Sequence, residues 1–181
     1  MALRSTVFKL ELDVADMDRG YYGSHTLTVA RHPSETDERM MLRVLALALN
    51  ACEGLEFGGG VSTPEEPDLW YRNLSGEIEH WIDLGRPDER RVRKACGRAH
   101  AVTLYTYGGG KASMWWAQNG ESLSRCENLR VFNVPLDQSD GLASLVRRTM
   151  AIQCNIQDGE VWMIQDDDSA HIVPELLFGA G

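Results

Sequence analysis

The sequence contains no apolar run of the roughly 18 residues that a membrane-spanning helix requires. Its longest apolar window, MMLRVLALALNAC at residues 40–52, is interrupted by Arg43. The N-terminal segment MALRSTVFKLELDV alternates apolar with charged residues, so it lacks the uninterrupted apolar segment of a signal peptide. These absences predict a cytoplasmic protein that does not associate with a membrane.

Cysteine is scarce as well. The chain has four cysteines, and none belongs to a C-x-x-C pair. Structural zinc sites and thiol redox motifs use such close spacings, so the sequence indicates neither. We expect the cysteines to be buried as small apolar residues, as is usual in a cytosolic chain. They are Cys52, Cys96, Cys126 and Cys154.

Basic residues are outnumbered. The chain holds 18 lysines and arginines against 27 acidic residues, which gives a formal net charge of −9. Proteins that bind duplex DNA without sequence preference are usually basic, because their affinity comes from neutralising phosphates. The charge therefore argues against electrostatic binding of DNA by the protein surface as a whole but leaves room for a local basic patch.

With 181 residues, 43% of them hydrophobic, the chain can form a single domain over residues 1–181 with a substantial core.

Alternating residues predict β hairpins at both ends of the chain. The segments STVFKLELDVAD (5–16) and GYYGSHTLTVARH (20–32) alternate on either side of a short turn. Near the other end, the turn pair Asp158-Gly159 predicts a hairpin over residues 150–167. The segment AHIVPELL (170–177) predicts a last edge strand, since an edge tolerates its proline.

The middle of the chain alternates helices and strands. Ser34 predicts the N-cap of a first helix that ends before Gly54. Further on, GEIEHWIDLG (76–85) has the period of a strand, RPDERRVRKACGRA (86–99) predicts a helix with its proline near the first turn, and HAVTLYTYGGG (100–110) predicts a buried strand. A strand–helix–strand order implies a crossover onto a partly parallel sheet. The predicted fold class is α+β, with a mixed α/β centre.

Three acidic residues can meet in this arrangement. Asp68 opens one predicted strand and Asp83 ends the next, so antiparallel pairing would place them side by side. Glu38 lies near the start of the first helix, where partnering the helix dipole is its alternative role. Mg²⁺ and Mn²⁺ prefer carboxylate ligands, and a bound ion activates water for phosphodiester hydrolysis. We therefore predict Asp68, Asp83 and Glu38 as ligands of Mg²⁺ or Mn²⁺. Glu79, about 13 Å from Asp83 along the same strand face, is a weaker match.

A cation near these acids would stabilise a phosphate, and the helix over residues 86–99 offers two. At about 100° per residue, Arg91 lies at the edge of the buried stripe of that helix, whereas Lys94 points away from it. Lysine is the better proton-transfer group, and arginine is the better phosphate clamp. These observations do not choose between Arg91 and Lys94 as the catalytic cation.

The order of these residues resembles the PD-(D/E)XK nuclease superfamily. In that fold a helix carries a Glu, one strand carries Pro-Asp and the next carries (D/E)-X-K; Glu38, Pro67-Asp68 and Asp83 stand in those places. Gly85 occupies the position of the motif lysine, and members that move the lysine to the following helix would match Arg91 or Lys94. The resemblance implies a nuclease-like core over about residues 34–135, with additional β hairpins at both ends.

The whole chain is also similar to the YaeQ family, which is described as a variant of that nuclease fold. The segments that carry this resemblance are MALRSTVFKLELDVADMDR, LTVARHPSETDERMMLRVLA, WIDLGRPDERRVRKAC, TYGGGKASMWWAQN and RTMAIQCNIQDGEVW. They occur in order over nearly the full length.

Two functions fit these residues. The first is metal-dependent phosphodiester hydrolysis on nucleic acid, with Glu38, Asp68, Asp83 and Arg91 or Lys94 at the catalytic site. The second is a catalytically inactive nuclease fold that binds a protein or a nucleic acid; loss of the motif lysine and the acidic pI favour it.

Other residues have simpler expected roles. His80 alternates with apolar neighbours, which indicates a hydrogen-bonded inward histidine rather than a ligand. Trp115-Trp116 can stack bases, but adjacent tryptophans on a helix usually pack one ring into the core.

Overall fold

The computed structural model describes residues 3–180, which contain eleven strands, four α-helices and one 3₁₀ helix at Gly60–Ser62. The elements, in chain order, are β1 (Thr6–Asp16), β2 (Tyr21–Arg31), α1 (Asp37–Asn50), β3 (Leu55–Phe57), β4 (Leu69–Arg72), β5 (Ile78–Leu84), α2 (Glu89–Arg98), β6 (Ala99–Thr106), α3 (Gly110–Leu123), β7 (Leu129–Asn133), α4 (Leu136–Ala143), β8 (Thr149–Gln157), β9 (Glu160–Gln165), β10 (Asp168–Ile172) and β11 (Glu175–Phe178). The fold is α+β, as predicted, with two mixed sheets.

The chain divides into two compact units, each built from two stretches of sequence. The first unit contains residues up to 52 together with 137–173, and the second contains residues 53–136 together with the segment after 173. The prediction of one domain over residues 1–181 concerns both units and stays a prediction. None of the helices within residues 3–180 combines the length and the apolarity that crossing a bilayer demands.

The first unit contains a five-stranded sheet in the order β10-β9-β8-β1-β2. β1 pairs antiparallel with β2 and parallel with β8, and β8 pairs antiparallel with β9. Alternate side chains of β1 are buried, which confirms the N-terminal hairpin. The C-terminal hairpin is confirmed too, because Asp158 and Gly159 both have positive φ (54° and 74°), as a two-residue turn between twisted strands requires.

Helix α1 begins two residues later than its predicted cap implies. The N-cap is Thr36, whose hydroxyl accepts a hydrogen bond from the amide of Arg39 at 3.1 Å. Ser34, the predicted cap, instead has its hydroxyl 2.6 Å from the ring of His32. The prediction was wrong because two hydroxyl residues precede the helix and only backbone conformation selects between them. Arg43, in the middle of the apolar window, is buried and forms an ion pair with Glu35 at 2.5 Å.

The second unit contains a six-stranded sheet in the order β11-β7-β6-β5-β4-β3. β5, β6 and β7 run parallel, which confirms the predicted crossover, while β3, β4 and β11 pair antiparallel with their neighbours. Side chains of α2 and α3 pack against one face of this sheet in a core that includes Trp81, Val92, Leu104 and Leu123. This packing fixes the position of α2 beside the ends of β4 and β5.

Pro87 lies near the first turn of α2, as predicted, because it immediately precedes the N-cap, Asp88, whose side chain accepts the amide of Arg90 at 2.8 Å. One further prediction needs correction. The predicted last strand, residues 170–177, is two strands separated around Pro174, which has no N–H to continue a ladder. β10 pairs with β9 in the first unit, and β11 pairs with β7 in the second. The four cysteines are free thiols; Cys154 is buried and the other three are half-buried.

Candidate functional site

Strands β4 and β5 bring Asp68 and Asp83 together, as the sequence predicts. Leu69 pairs with Ile82 in an antiparallel register, so the two aspartates face each other immediately beyond that pair. The Asp68 amide donates to Oδ1 of Asp83 at 3.3 Å, and the Leu84 amide donates to Oδ2 of Asp68 at 2.9 Å. Both aspartates are buried, with 3% and 4% of their surface exposed. A buried pair of neighbouring carboxylates needs compensating positive charge or donors.

Arg91 supplies that charge. Its Nε donates to Asp83 Oδ2 at 3.0 Å and one terminal nitrogen donates to Asp83 Oδ1 at 3.2 Å, which is the bidentate geometry of a strong arginine–carboxylate pair. The same guanidinium also donates to the carbonyl oxygens of Pro64 and Glu66. Lys94 lies apart from this pair, since its Nζ is 3.3 Å from exposed Glu65. Arg91, at the edge of the buried stripe of the helix, is therefore the cation beside Asp83, and the choice between Arg91 and Lys94 as a catalytic cation stays a prediction.

The carboxylate of Asp83 accepts four N–H donors. Oδ1 accepts from the Asp68 amide and from Arg91, and Oδ2 accepts from Arg91 and from the Trp81 indole at 3.0 Å. A carboxylate has about four lone-pair sites, so these bonds use its full capacity. A divalent cation bound to Asp83 would also stand next to a guanidinium. Because N–H groups already occupy both oxygens of Asp83, these carboxylates do not fit Mg²⁺ or Mn²⁺ as ligands. Binding either ion would require Arg91 to move away from Asp83.

The backbone conformation at Gly85, where the motif lysine is expected, disfavours a lysine. Gly85 has a φ of +96°, and its amide donates to the carbonyl of Tyr105 at 2.8 Å. Left-handed φ values are unfavourable for every residue with a Cβ atom, so a lysine here would be strained. The glycine ends β5 by turning the chain toward α2, which carries Arg91 instead.

A glycine-rich loop packs closely against Asp68, a feature that the sequence analysis missed. The amides of Gly58 and Gly60 donate to the carbonyls of Asp68 and Pro67 at 3.0 and 3.1 Å. A Cβ atom at Gly60, where φ is +50°, would lie 2.8 Å from Oδ1 of Asp68. The run of three glycines at residues 58–60 was the available signal, because close backbone approach is a usual reason for such a run.

Glu38 belongs to the first unit. It lies in the first turn of α1, is half-buried, and its Oε1 accepts the hydroxyl of buried Ser139 at 2.7 Å. That bond and the helix N-terminus give Glu38 local stabilising partners. Its assignment as a metal ligand stays a prediction.

The exposed side of α2 is basic. Residues 86–98 include six basic and two acidic residues, a local net charge of +4 in a chain of net charge −9. We call the exposed members the basic patch: Arg86, Arg90, Arg93, Lys94 and Arg98. Among residues 3–180, Arg93 pairs with Glu89 and Lys94 with Glu65, whereas no ion pair engages Arg86 or Arg90.

A cavity of about 150 Å³ lies beside the basic patch. Trp81, Arg91, Lys94 and Arg98 line it, and the guanidinium carbons of Arg91 and Arg98 lie 5.8 and 5.2 Å from the Trp81 ring centre. Its lining thus contains three cationic side chains and one carboxylate, that of Glu65, which pairs with Lys94.

His80 and the paired tryptophans have structural surroundings. The His80 ring lies 2.8 Å from the hydroxyl of Thr103, which confirms a hydrogen-bonded inward histidine. Burial, and secondarily the charge of Arg130, lower the pKa of His80 to about 4, so the ring is neutral at pH 7. Trp115 and Trp116 both pack partly buried against the core of the second unit.

Comparison with known proteins agrees with this architecture. The sequence profile of the family described as "YaeQ protein" matches residues 1–174. The YaeQ protein of Escherichia coli (strain K12) is 43% identical over 172 residues, 95% of each chain, and that of Salmonella typhi is 45% identical over 163 residues, 90% of each chain.

Two crystal structures are also similar. The YaeQ protein from Xanthomonas axonopodis pv. citri has a TM-score of 0.94 and 46% identity, with 97% of this chain and 99% of that chain covered. The YaeQ protein from Pseudomonas syringae has a TM-score of 0.93 and 35% identity, with 97% of each chain covered. The names of these relatives state no activity. On the profile match and these identities, the chain belongs to the YaeQ family.

Proposed function

We propose that this chain is a catalytically inactive variant of the PD-(D/E)XK nuclease fold that binds nucleic acid through the basic patch. The order of its elements supports the nuclease-like core over about residues 34–135, since Pro67-Asp68 immediately precede β4, Asp83 lies one residue before the end of β5, and α2 and β6 follow. A cytoplasmic location, expected from the sequence, agrees with this role.

The observation that carries the proposal is the fourfold hydrogen bonding of Asp83. In a hydrolase of this type, that carboxylate would hold the metal ion, yet here Arg91 occupies both of its oxygens. Breaking a bidentate, largely buried ion pair leaves a buried charge without a partner, which costs several kcal/mol in typical cases, about 3–5. Asp83 and Arg91 therefore join β5 to α2 and hold the basic patch in place.

Nucleic acid is the ligand that suits the charge distribution. Phosphate binding by arginine and lysine is local and strong enough to act in a protein of negative net charge, provided the basic residues lie on one face. Arg86 and Arg90 have no ion pair among residues 3–180, so binding phosphate would break none. The acidic remainder of the chain would limit the footprint to this face.

Fluorescence anisotropy with labelled single-stranded and duplex oligonucleotides tests the proposal on the full chain. Binding should weaken as salt rises, and Arg86→Ala with Arg90→Ala should reduce the log–log salt slope by about one per lost phosphate contact. Arg125→Ala, an exposed arginine outside the patch, is the matched control and should leave the slope unchanged. Absence of binding at low salt would contradict nucleic-acid binding and leave a protein partner as the ligand. An equal loss in Arg125→Ala would contradict the assignment of binding to the basic patch.

Metal-dependent phosphodiester hydrolysis is the second candidate, favoured by the two adjacent buried aspartates, Asp68 just before β4 and Asp83 in β5. It requires Arg91 to move from Asp83 to the substrate phosphate, with Lys94 as the alternative cation. Calorimetric titration of Mn²⁺ into wild type and Asp83→Asn separates the candidates. Heat of binding in wild type that is lost in Asp83→Asn, together with cleavage of an oligonucleotide, would favour hydrolysis.

A further inference from the structure

A second group of potential ligands lies at the opposite end of β5, far from Asp83. Glu77, Glu79 and His100 each offer one ligand atom, and these atoms lie within 4.8 Å of one another. The cluster mixes an imidazole with two carboxylates. Glu79 and Asp83 are four residues apart on one strand face, which corresponds to about 13 Å. One ion cannot contact both places.

The sheet register accounts for the cluster. Glu77 and Glu79 are two residues apart, so both side chains point to the same face of β5. The parallel pairing of Ile78 with Ala99 and of His80 with Ala101 places His100 beside Glu79 on that face. Glu79 and His100 therefore start from paired strands, and Glu77, which immediately precedes β5, accepts the Asn73 amide at its carbonyl at 2.9 Å.

Asn73 holds the two carboxylates from the far side. Its amide nitrogen donates to Oε2 of Glu77 at 2.7 Å and to Oε1 of Glu79 at 2.9 Å. Its own Oδ1 accepts the amides of Ser75 and Glu77, both at 3.0 Å, so the turn fixes its orientation. An outer amide of this kind orients carboxylates in the way that the outer partners of known metal ligands do.

The charge of the cluster is uncompensated. Among residues 3–180, no lysine or arginine forms an ion pair with Glu77 or Glu79. Arg98 lines the same cleft as Glu77 and His100, but its guanidinium donates to the carbonyl of Glu65 and lies over the Trp81 ring. Two neighbouring carboxylates repel each other, and a divalent cation removes that repulsion.

Water and ions can reach the cluster. Glu77 and His100 border an open cleft of about 390 Å³, in which both side chains are exposed. Three protein ligands with open positions for water is a common arrangement for zinc, and imidazole with carboxylate suits Zn²⁺ better than Mg²⁺. We infer that Glu77, Glu79 and His100 form a binding site for Zn²⁺.

Calorimetric titration of Zn²⁺ into the full chain tests this inference. Wild type should bind one Zn²⁺ at this site, and His100→Ala or Glu79→Gln should weaken binding by at least about tenfold, the loss typical when even an outer partner is removed. His171→Ala is the matched control, because His171 is 47% exposed and lies 3.2 Å from one glutamate, Glu160, and no second carboxylate within residues 3–180 completes a three-ligand group there. Asp83→Asn should also leave Zn²⁺ binding unchanged.

A second readout identifies the ligand directly. The ring resonances of the five histidines in a ¹H–¹³C NMR spectrum should show His100 shifting on addition of Zn²⁺ while the others stay in place. Absence of binding at about 1 mM Zn²⁺ would overturn the site. So would equal affinity of wild type and His100→Ala, or a loss of binding in Asp83→Asn alone, which would place the metal at the aspartates instead.

Discussion

Replacing Arg91 with alanine should convert the Asp83 carboxylate from a saturated acceptor into an available metal ligand. The substitution removes two of the four donors that Asp83 accepts and the only cation that pairs with it among residues 3–180. It also frees the carbonyls of Pro64 and Glu66. We therefore expect Arg91→Ala to be less stable than wild type in the absence of metal and to gain stability when a divalent cation is added.

The magnitude follows from burial. Removing one partner of a fully buried ion pair typically costs about 3–5 kcal/mol. Asp83 has only 6% of its side chain exposed, whereas 30% of the Arg91 side chain is exposed, so water can reach the vacated position and lower the cost. We expect a loss of about 3 kcal/mol in the free energy of unfolding. Arg93→Ala on the same helix, which breaks an exposed pair with Glu89, should lose less than about 1 kcal/mol.

Chemical denaturation with and without Mg²⁺ is the assay. A site with a Kd of about 1 mM, at about 10 mM Mg²⁺, raises the free energy of unfolding by about 1.4 kcal/mol. Arg91→Ala should show a gain of this order, and wild type should show none. In Arg91→Ala combined with Asp83→Asn the gain should disappear, because the ligand carboxylate is gone. The double variant should also lose less stability than the sum of the two single changes, since the buried charge is removed with its partner.

Two results would refute this reasoning. If Mg²⁺ stabilises wild type as much as Arg91→Ala, the ion displaces the Arg91 guanidinium readily. That result would favour metal-dependent hydrolysis over a catalytically inactive fold. If Arg91→Ala is as stable as wild type without metal, the ion pair is not what holds Asp83 in place.

Three further changes test other parts of the structure. Because the pKa of His80 is lowered from 6.5 to about 4, the unfolded chain binds a proton between these pH values that the folded chain does not. The free energy of unfolding should therefore fall by up to about 3 kcal/mol as pH drops from 6.5 to 4. Chemical denaturation of His80→Gln should lack this pH-dependent loss. Gly60→Ala should be more destabilising in urea titration than Gly76→Ala by about 1 kcal/mol or more, since both have positive φ but only the first Cβ would meet Asp68. Glu35→Gln should lower the thermal midpoint, with a loss of about 3 kcal/mol, because two arginines lose a buried carboxylate partner; equal midpoints would contradict this role.

Much of the fold was predictable because its signals are local. Strict alternation over 11 residues in β1 and β2 leaves one face to bury, and a strand satisfies that pattern whatever the rest of the chain does. Asp158-Gly159 selects a turn that needs positive φ at both positions. The start of α1 was less predictable, since Ser34 and Thr36 can each cap a helix, and the choice depends on backbone angles that no local pattern encodes.

The C-terminal segment illustrates a different limit. Pro174 was expected within one edge strand, but it separates two strands whose partners, β9 and β7, belong to different units. Pairing partners that lie far away in sequence decide the outcome there. Similarly, the cluster of Glu77, Glu79 and His100 needs the register of β5 against β6, which a single sequence does not reveal.

At Asp68 and Asp83, the sequence predicted which side chains lie together but not whether they bind a metal ion or form an ion pair. Residue type and spacing placed Asp68 beside Asp83 and Arg91 on the inward edge of α2, and the structure has both. Whether these side chains bind a metal cation or form an ion pair depends on how many hydrogen bonds each carboxylate already accepts.

Arginine at position 91 is decisive, because its planar guanidinium can donate to both oxygens of Asp83 at once while its remaining N–H groups bind loop carbonyls. A lysine has one ammonium group and can leave a carboxylate oxygen for a metal. Gly85 turns the chain at the place where the proposed nuclease fold would carry a lysine, and Arg91 on the following helix binds both oxygens of Asp83. Arg91→Lys, with a single ammonium in place of the guanidinium, should therefore gain part of the Mg²⁺ response of Arg91→Ala while losing less stability.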